Sequence, residues 1–248
     1  DYDTFYKDRV LEIEKINISD ISKDLEIPKE SVRRKVAELE KMGEIKKIGK
    51  KIFLNRTAIH TAQAKNTLSE LCILLHEFNK LLKKDKLSNN IFDLNEINKS
   101  IKNNFTFCWY QFYKFMFIYL NRWKKEVNDL ETFCIGQVVV VNAAQNKEFK
   151  PSKSNIKSWR EEIMGSDPRG VNAMSISEIT GIPRPTVVRK LKWLIENKFL
   201  YINEKKLISL DMKDSTFKRT AKLQEMNMLS LSHLVYRLFN QIKVINSQ

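Results

Sequence analysis

Two stretches of the chain align without a gap at an offset of 155 residues, and this repeat constrains the fold more than any other feature. The first is EIPKESVRRKVAELEKMGEIK, residues 26–46, and the second is GIPRPTVVRKLKWLIENKFLY, residues 181–201. Both contain the pattern P-x-x-[ST]-V-x-R-K-[VL]-x-x-L. Independent drift would not produce this pattern twice at one offset, so the chain carries one structural device in two copies.

The sequence around the first copy predicts two helices before the repeated stretch. Residues 4–16 hold apolar side chains at mixed three- and four-residue spacing, namely Phe5, Val10, Ile13 and Ile16, which predicts one amphipathic helix. Ser19 is expected to cap a short second helix that contains Ile21 and Leu25.

The repeated stretch itself predicts a third helix and a hairpin. Pro28 opens a helix that ends at Gly43, and its expected core face consists of Val32, Val36 and Leu39. Residues 44–55, EIKKIGKKIFLN, alternate apolar and polar side chains on either side of Gly49. This alternation predicts a two-stranded hairpin with a basic tip.

The second copy repeats this plan. Ser175 or Ser177 is expected to cap a short helix, Gly181 to make the turn, and Pro183 and Pro185 to open a helix whose core face is Val187, Leu191 and Leu194. Residues 199–210 supply two strands with Asn203–Lys206 at the tip. The candidate first helix is NIKSWREEIM, residues 155–164, followed by a DPRG turn at Asp167.

The remaining sequence is predominantly helical. The most hydrophobic run, residues 105–120, is sixteen residues long and contains Lys114. A membrane-spanning helix needs about 20 apolar residues, so the run predicts a buried helix and no membrane segment.

Three helices followed by a basic hairpin, in both copies, is the plan of a winged helix-turn-helix domain. We predict a mainly α protein with an N-terminal winged helix-turn-helix domain (1–57), a helical core (58–145), a linker (146–154), a C-terminal winged helix-turn-helix domain (155–211) and a final helix (212–248).

The charge indicates a polyanionic partner. The formal net charge is +14, although a bias toward Lys, Asn and Ile weakens surface lysine as evidence. Arginine is more informative, because four of the eleven fall in the two aligned stretches. Residues 28–56 hold ten basic and four acidic side chains, and residues 183–206 hold seven and two, so these segments carry +6 and +5.

The outward faces of the two third helices carry the candidate DNA-contacting residues. Arg189 lies roughly 160 to 200° from the apolar face, and Arg34 occupies the equivalent position. These two are the first choices for base readout, because Arg can clamp guanine with two hydrogen bonds. The full predicted set on these helices is Lys29, Ser31, Arg33, Arg34, Arg184, Thr186, Arg189, Lys190 and Lys192.

The hairpins and one cap carry a second set, which is expected to touch phosphates or the minor groove. It consists of Lys46, Lys47, Lys50, Lys51, Ser177, Lys205 and Lys206. Contacts of this kind supply affinity and salt dependence rather than sequence choice.

The second copy resembles the helix-turn-helix stretch of bacterial winged-helix transcriptional regulators of the IclR and MarR type. A pattern close to G-[LI]-P-R-x-T-V-x-R-x-[LV]-x-x-L-x-x-x-G-x-[LI] is common there. The resemblance implies that the helix with Arg184, Thr186 and Arg189 enters the major groove. IclR proteins attach a large effector-binding domain, and MarR proteins carry one winged domain per chain, so neither effector sensing nor oligomeric state carries over.

These observations predict a sequence-specific regulator of transcription that binds double-stranded DNA in the cytoplasm, at the nucleoid. A plasmid- or phage-type replication initiator and a scaffold of a chromosome-organising complex remain alternatives. A homodimer through the aromatic and C-terminal helices is a further option. Three scattered cysteines, three isolated histidines and the lack of phosphate-binding or nucleophile motifs predict no disulfide framework, no metal, no cofactor and no enzyme.

Overall fold

The computed structural model describes residues 1–7, 10–13, 17–48, 51–55, 65–87, 92–145, 170–211 and 214–246. Across these ranges the protein is mainly helical, with ten α-helices and five short strands. The chain divides into two compact units, Asp1–Phe115 with Ser232–Gln248 and Met116–Leu231, which are described separately below.

The first unit opens with α1 (Tyr2–Lys7), β1 (Val10–Ile13), α2 (Ile18–Leu25), α3 (Lys29–Lys41), β2 (Ile45–Ile48) and β3 (Lys51–Asn55). The strands form an antiparallel sheet in the order β1-β3-β2, in which Val10 pairs with Asn55 and Ile45 with Leu54. The tip residues Gly49 and Lys50 lie outside the described residues.

The prediction of one helix over residues 4–16 is wrong. The helix ends at Lys7, and Val10–Ile13 is a strand on the free side of the hairpin. Val and Ile favour strands, and pairing with β3 supplies partners for the backbone groups of this segment. The period of apolar residues did not reveal this partner, because the hairpin lies about 40 residues further along the chain.

Asparagines cap the two short helices, where serines had been predicted. Asn17 precedes α2, and its Oδ1 accepts from the amides of Ser19 at 2.8 Å and Asp20 at 3.1 Å. Asn172 precedes the corresponding helix of the second unit, where its Oδ1 accepts from the amide of Ser175 at 2.9 Å. Asn is among the best N-cap residues, so the helices begin one or more residues before the predicted serines.

The core of the first copy is small. It consists of Val32, Val36, Ile45 and Ile52. Leu39 was predicted to join them but is 41% exposed, because α3 packs mainly on α2 and β2. The predicted left-handed Gly43 is confirmed, with φ of 78°.

The rest of the first unit is helical and includes α4 (Lys65–Lys84), α5 (Leu94–Asn103) and the start of α6 (Phe105–Glu126). Tyr6, Phe105 and Trp109 form an aromatic core cluster. The prediction that α6 is a buried helix is only partly right, because Tyr110 is 61% exposed and Phe117 57% exposed. No helix within the described ranges is both long and apolar enough to cross a membrane.

The second unit begins with the rest of α6, from Met116, and ends within α10 (Asp214–Asn246), at Leu231. Between them lie α7 (Leu130–Ala144), α8 (Ala173–Thr180), α9 (Arg184–Glu196), β4 (Leu200–Ile202) and β5 (Ile208–Leu210). β4 and β5 form an antiparallel hairpin, and Val171 adds an isolated bridge to Ile208. The predicted linker (146–154) and first helix (155–164) lie outside the described residues, and so does Asp167, where the predicted DPRG turn begins.

Helix α7 packs on α8, α9 and β5 and supplies Ile135 and Val139 to the core of the second copy. The same core holds the predicted face of α9, with Val187, Leu191 and Leu194 all at most 4% exposed. Sequence reasoning had assigned α7 to the helical core that links the copies.

Candidate nucleic-acid interface

The two copies of the repeat have matching helices. α2 and α8 begin and end at positions 155 residues apart, and so do α3 and α9. Pro28 stands at φ −51° and ψ 135° before α3, and Pro183 at φ −54° and ψ 133° before α9. Each pair of helices is thus joined by the same turn, which fixes the direction in which the second helix leaves the first.

A serine hydroxyl secures this turn in both copies. Ser22 Oγ donates to the carbonyl of Ile27 at 2.6 Å, and Ser177 Oγ donates to the carbonyl of Ile182 at 2.7 Å. Ser177 was predicted to contact DNA. Because its half-buried hydroxyl gives its only hydrogen to Ile182, we reassign Ser177 to the turn.

Four residues form the outward surface of α9, which we call the C-terminal basic face: Arg184, Thr186, Arg189 and Lys192. The three basic residues are exposed, and Thr186 is half-buried. Lys192 Nζ lies 3.8 Å from Glu196 Oε1, with both side chains at least 60% exposed. No carboxylate in the described part of the chain pairs with Arg184 or Arg189, so both guanidinium groups can bind an external anion.

Lys190 does not belong to this face, although it was predicted to contact DNA. The residue is only 8% exposed, and its Nζ lies 2.5 Å from Asp129 Oδ2, 3.3 Å from Glu131 Oε2 and 3.3 Å from Thr132 Oγ1. Its ammonium therefore ties α9 to the N-terminus of α7. A buried ammonium that already contacts two carboxylates is not available to a phosphate, so the prediction for Lys190 is corrected.

Asp129 is the N-cap of α7 as well as the partner of Lys190. Its Oδ1 accepts from the Thr132 amide at 2.7 Å and from the Thr132 hydroxyl at 2.8 Å. Burial by itself raises the pKa of Asp129, but the hydrogen bonds from Lys190 and Thr132 and the charge of Lys190 outweigh it. The pKa therefore lies below the ordinary value of 3.8, and the ionised cap is stabilised.

The outward surface of α3, which we call the N-terminal basic face, consists of Lys29, Ser31, Arg33 and Arg34. The basic residues are exposed and Ser31 is half-buried. Ser31, Arg33 and Arg34 line one shallow depression of about 470 Å³. An acid lies beside the arginines of this face, since Glu30 Oε2 is 3.3 Å from Arg33 Nη1. The leading end of α3 therefore carries an acid beside its arginines, whereas the first turn of α9 has none.

The hairpin lysines are distributed as follows. Lys46 and Lys47 on β2 are exposed, and so are Lys205 and Lys206 in the turn after β4. Lys206 has a left-handed backbone with φ of 59°, and its amide donates to the carbonyl of Asn203 at 2.9 Å. Lys50 lies outside the described residues, and only the backbone of Lys51 is described, as the first residue of β3.

Arg219 on α10 is a positioning residue that the sequence did not reveal. Its Nη2 donates to the carbonyl of Asn197, the C-cap of α9, at 2.9 Å, and its guanidinium lies 4.1 Å from the centroid of the Phe199 ring. Its Nε also lies 3.2 Å from Glu126. Arg219 thus holds the end of α9 and the start of the hairpin against α10.

Each copy is therefore a pair of helices and a hairpin, with an apolar core on one side of the second helix and basic side chains on the other. This arrangement places positive charge on the exposed side of the second helix in each copy. No group of His, Cys, Asp and Glu within the described ranges has the arrangement of a metal site. Comparisons of the chain with protein-family models, with curated proteins and with solved structures find no match.

Proposed function

We propose that the protein is a sequence-specific regulator of transcription that binds double-stranded DNA through two winged helix-turn-helix domains. In this proposal α3 and α9 are the recognition helices, and the β2–β3 and β4–β5 hairpins are the wings. Helix-turn-helix proteins insert the N-terminal part of the second helix into the major groove, which here would present Arg184, Thr186 and Arg189 to the base edges.

The observation that carries this proposal is that two neighbouring basic residues of α9 differ in burial and in pairing. Lys190 is buried against Asp129 and Glu131, whereas Arg189 is exposed and has no carboxylate partner among the described residues. If the charge of α9 only kept the protein soluble, its arginines could equally well pair with acids on the same helix. The unpaired guanidinium groups can instead donate two hydrogen bonds to O6 and N7 of a guanine.

The two copies are proposed to play unequal roles. On the C-terminal basic face no described carboxylate pairs with either arginine, and α7 packs against the helix that carries them. On the N-terminal basic face Arg33 is paired with Glu30. We assign the main sequence discrimination to Arg189 and a weaker contribution to Arg34. The exposed hairpin lysines supply phosphate contacts and hence affinity.

The test begins with selection of binding sites from random duplex DNA, followed by fluorescence anisotropy on the selected site and on scrambled DNA at several salt concentrations. Arg189→Ala is expected to lose about 1 to 3 kcal/mol of discrimination between the two DNAs. Lys222→Ala, which removes an exposed charge from α10, is the matched control and should keep the discrimination.

The results separate the proposal from its rivals. Unchanged discrimination by Arg189→Ala would refute the assignment of α9 to the major groove. A protein that selects no site and shows no saturable binding fits a scaffold. Genome-wide mapping of bound sites then distinguishes a regulator, which occupies promoters, from an initiator, which occupies a replication origin.

A further inference from the structure

Two exposed apolar residues lie among the basic residues at the start of α9, and the proposed contacts do not use them. Val188 is 50% exposed, and Pro185, three positions before it, is exposed as well. Single exposed apolar side chains are common on protein surfaces. These two are neighbours, however, because residues three positions apart lie on one face of a helix. They form a small surface in the first two turns of α9, which we call the apolar patch.

Basic side chains flank the apolar patch. Arg184 and Lys192 each lie four positions from Val188 along the helix, and residues at this spacing are neighbours. Arg189 lies four positions from Pro185 in the same way. All three basic residues are exposed, and no described carboxylate pairs with either arginine. The patch therefore lies between positive charges.

The first copy carries different chemistry at the same positions. Because α3 and α9 have the same length at an offset of 155 residues, Pro185 corresponds to Glu30 and Val188 to Arg33. In α3 the two residues form an ion pair, with 3.3 Å between Glu30 Oε2 and Arg33 Nη1. They line one surface depression together with Ser31, Arg34 and Ala37, the equivalents of Thr186, Arg189 and Lys192. The same part of the helix surface thus holds an ion pair in one copy and an apolar pair in the other.

The surroundings of the apolar patch determine which partner fits it. The inward face of α9 is buried, with Val187, Leu191 and Leu194 at most 4% exposed, so a membrane would gain contact with only two small apolar side chains. An apolar protein partner would have to remove the flanking cations from water, which is costly. Duplex DNA suits both features of the surface. Its phosphates neutralise cations, and its major groove offers an apolar group, the C5-methyl of thymine.

We propose that Val188 is a specificity-determining residue that packs, together with Pro185, against the C5-methyl of a thymine beside the base that Arg189 reads. This inference rests on the proposed function and deepens it, because it assigns a second base to the half-site of α9. That half-site would contain a guanine and a nearby thymine. The half-site of α3 would show no preference for thymine at the equivalent position, because the ion pair of Glu30 and Arg33 offers no apolar surface there.

The experiment uses the full chain and the duplex that it selects from random DNA. Arg189→Ala first identifies the base pair at which discrimination is lost. Each thymine within about two base pairs of that position is then replaced singly by uracil, since the Cα atoms of residues 188 and 189 are only about 3.8 Å apart. Uracil lacks only the methyl group. At one position we expect the wild type to bind about fourfold more weakly, which is the effect of exposing one buried methyl group.

The other pyrimidine that carries a C5-methyl, 5-methylcytosine, provides a second measurement. Placed at the same position opposite guanine, it should bind about fourfold more tightly than cytosine, because the two bases differ only in the methyl group. Equal binding of cytosine and 5-methylcytosine would overturn the methyl contact. Tighter binding of 5-methylcytosine than of thymine would overturn the assignment to thymine.

Val188→Ser tests the protein side of the contact. It should abolish the penalty for uracil while keeping discrimination at the base that Arg189 reads. Val141→Ser is the matched control, because Val141 on α7 is the same residue type and is also 50% exposed. This control should keep the fourfold penalty. Circular dichroism verifies that both variants are folded, and the uracil measurement on the wild type depends on neither of them.

The outcomes separate this inference from the proposed function. A chain that selects no site, or a site that does not respond to Arg189→Ala, refutes the reading of bases by α9 and the role of Val188 with it. A site that responds to Arg189→Ala but has no thymine nearby, or binds equally well with uracil, refutes the role of Val188 alone. The same conclusion follows if Val188→Ser retains the penalty for uracil.

Discussion

The side chains of Arg189 and Lys190 are adjacent in sequence but have opposite roles. Successive residues of an α-helix are rotated by about 100°, which places Lys190 about 60 to 70° from the centre of the apolar face and Arg189 almost opposite to it. The helical period alone thus predicts that Lys190 lies at the edge of the apolar face. Its partner Asp129 lies 61 residues earlier, so only the tertiary structure reveals the ion pair.

Among the described residues, the first copy has no equivalent of the ion pair between Lys190 and Asp129, which we call the anchor. Lys35, the counterpart of Lys190, has a 67% exposed side chain and lies 2.8 Å from Glu38 of its own helix. That hydrogen bond lowers the pKa of Glu38, which is exposed. The same residue type at the same repeat position is therefore a surface residue in one copy and an internal brace in the other, depending on whether a helix like α7 covers it.

Neutralising the acid of the anchor should destabilise the second unit. Asp129→Asn keeps a capping oxygen but removes the charge that faces Lys190. Breaking a fully buried pair costs about 3 to 5 kcal/mol, but the Asp129 side chain is 40% exposed, so we expect about 1 kcal/mol at pH 7. Urea unfolding followed by circular dichroism gives the free energy of unfolding.

The pH dependence provides the check on this explanation. The pKa of Asp129 is lowered by folding, so its stabilising contribution is present above the ordinary value of 3.8 and is lost as the pH falls through the folded value. The difference between wild type and Asp129→Asn should shrink below about pH 4. Glu131→Gln, with a 59% exposed side chain, is the control and should have a smaller effect. A difference that is constant from pH 7 to pH 3 would contradict the ionic role.

At the scale of the element, the turn between the two helices of each copy requires a left-handed residue. Gly181 occupies this position with φ of 69°, and Glu26 occupies it in the first copy with φ of 53°. A side chain at such a φ strains the backbone by roughly 1 to 2 kcal/mol. The second copy has the residue that avoids this strain.

The same substitution should have opposite effects at two glycines of the second unit. Gly181→Ala introduces a Cβ at positive φ and should destabilise by about 1 kcal/mol, although the added atom meets nothing within 4 Å. Gly136→Ala, inside α7, should stabilise by about 0.5 to 1 kcal/mol because Ala is the better helix former. Urea unfolding measures both, and equal signs would contradict the assigned backbone roles.

Local signals explain which elements the sequence predicted. Pro28, Gly43 and Gly181 mark helix ends through their own backbone preferences, and both hairpins follow from alternation of apolar and polar residues. β1 escaped prediction because its pairing with β3 is non-local. Of the candidate site, the outward arginines followed from the helical period, whereas the burial of Lys190 and the brace at Arg219 depend on distant segments.

At the scale of the whole molecule, the net charge of +14 is concentrated in the two repeated segments. They are not equivalent, because Glu30 lies 3.3 Å from Arg33 in the first turn of α3, whereas the first turn of α9 has no acid. If both copies read DNA as proposed, one chain with two unequal recognition helices would suit an asymmetric site. A symmetric dimer with identical recognition helices instead requires a palindromic site whose half-sites lie about one helical turn, or 34 Å, apart.

Whether both heads bind the same DNA can be measured from the salt dependence of the affinity. For B-DNA the slope of log K against log salt is about −0.9 for each neutralised phosphate. We expect the double substitution of Lys205 and Lys206 by Ala to reduce the slope by about 2, with equal weakening on selected and scrambled DNA. The same change at Lys46 and Lys47 should have a similar effect if the first hairpin also touches phosphate.

The quadruple variant completes this test. If both hairpins bind one duplex at once, the two reductions should add to about 4, because each set of charges releases its own counterions. A slope that does not respond to the Lys46 and Lys47 substitutions would remove the first copy from the interface and leave α9 as the sole reading helix. In that case Arg34→Ala should also leave site discrimination unchanged while Arg189→Ala abolishes it.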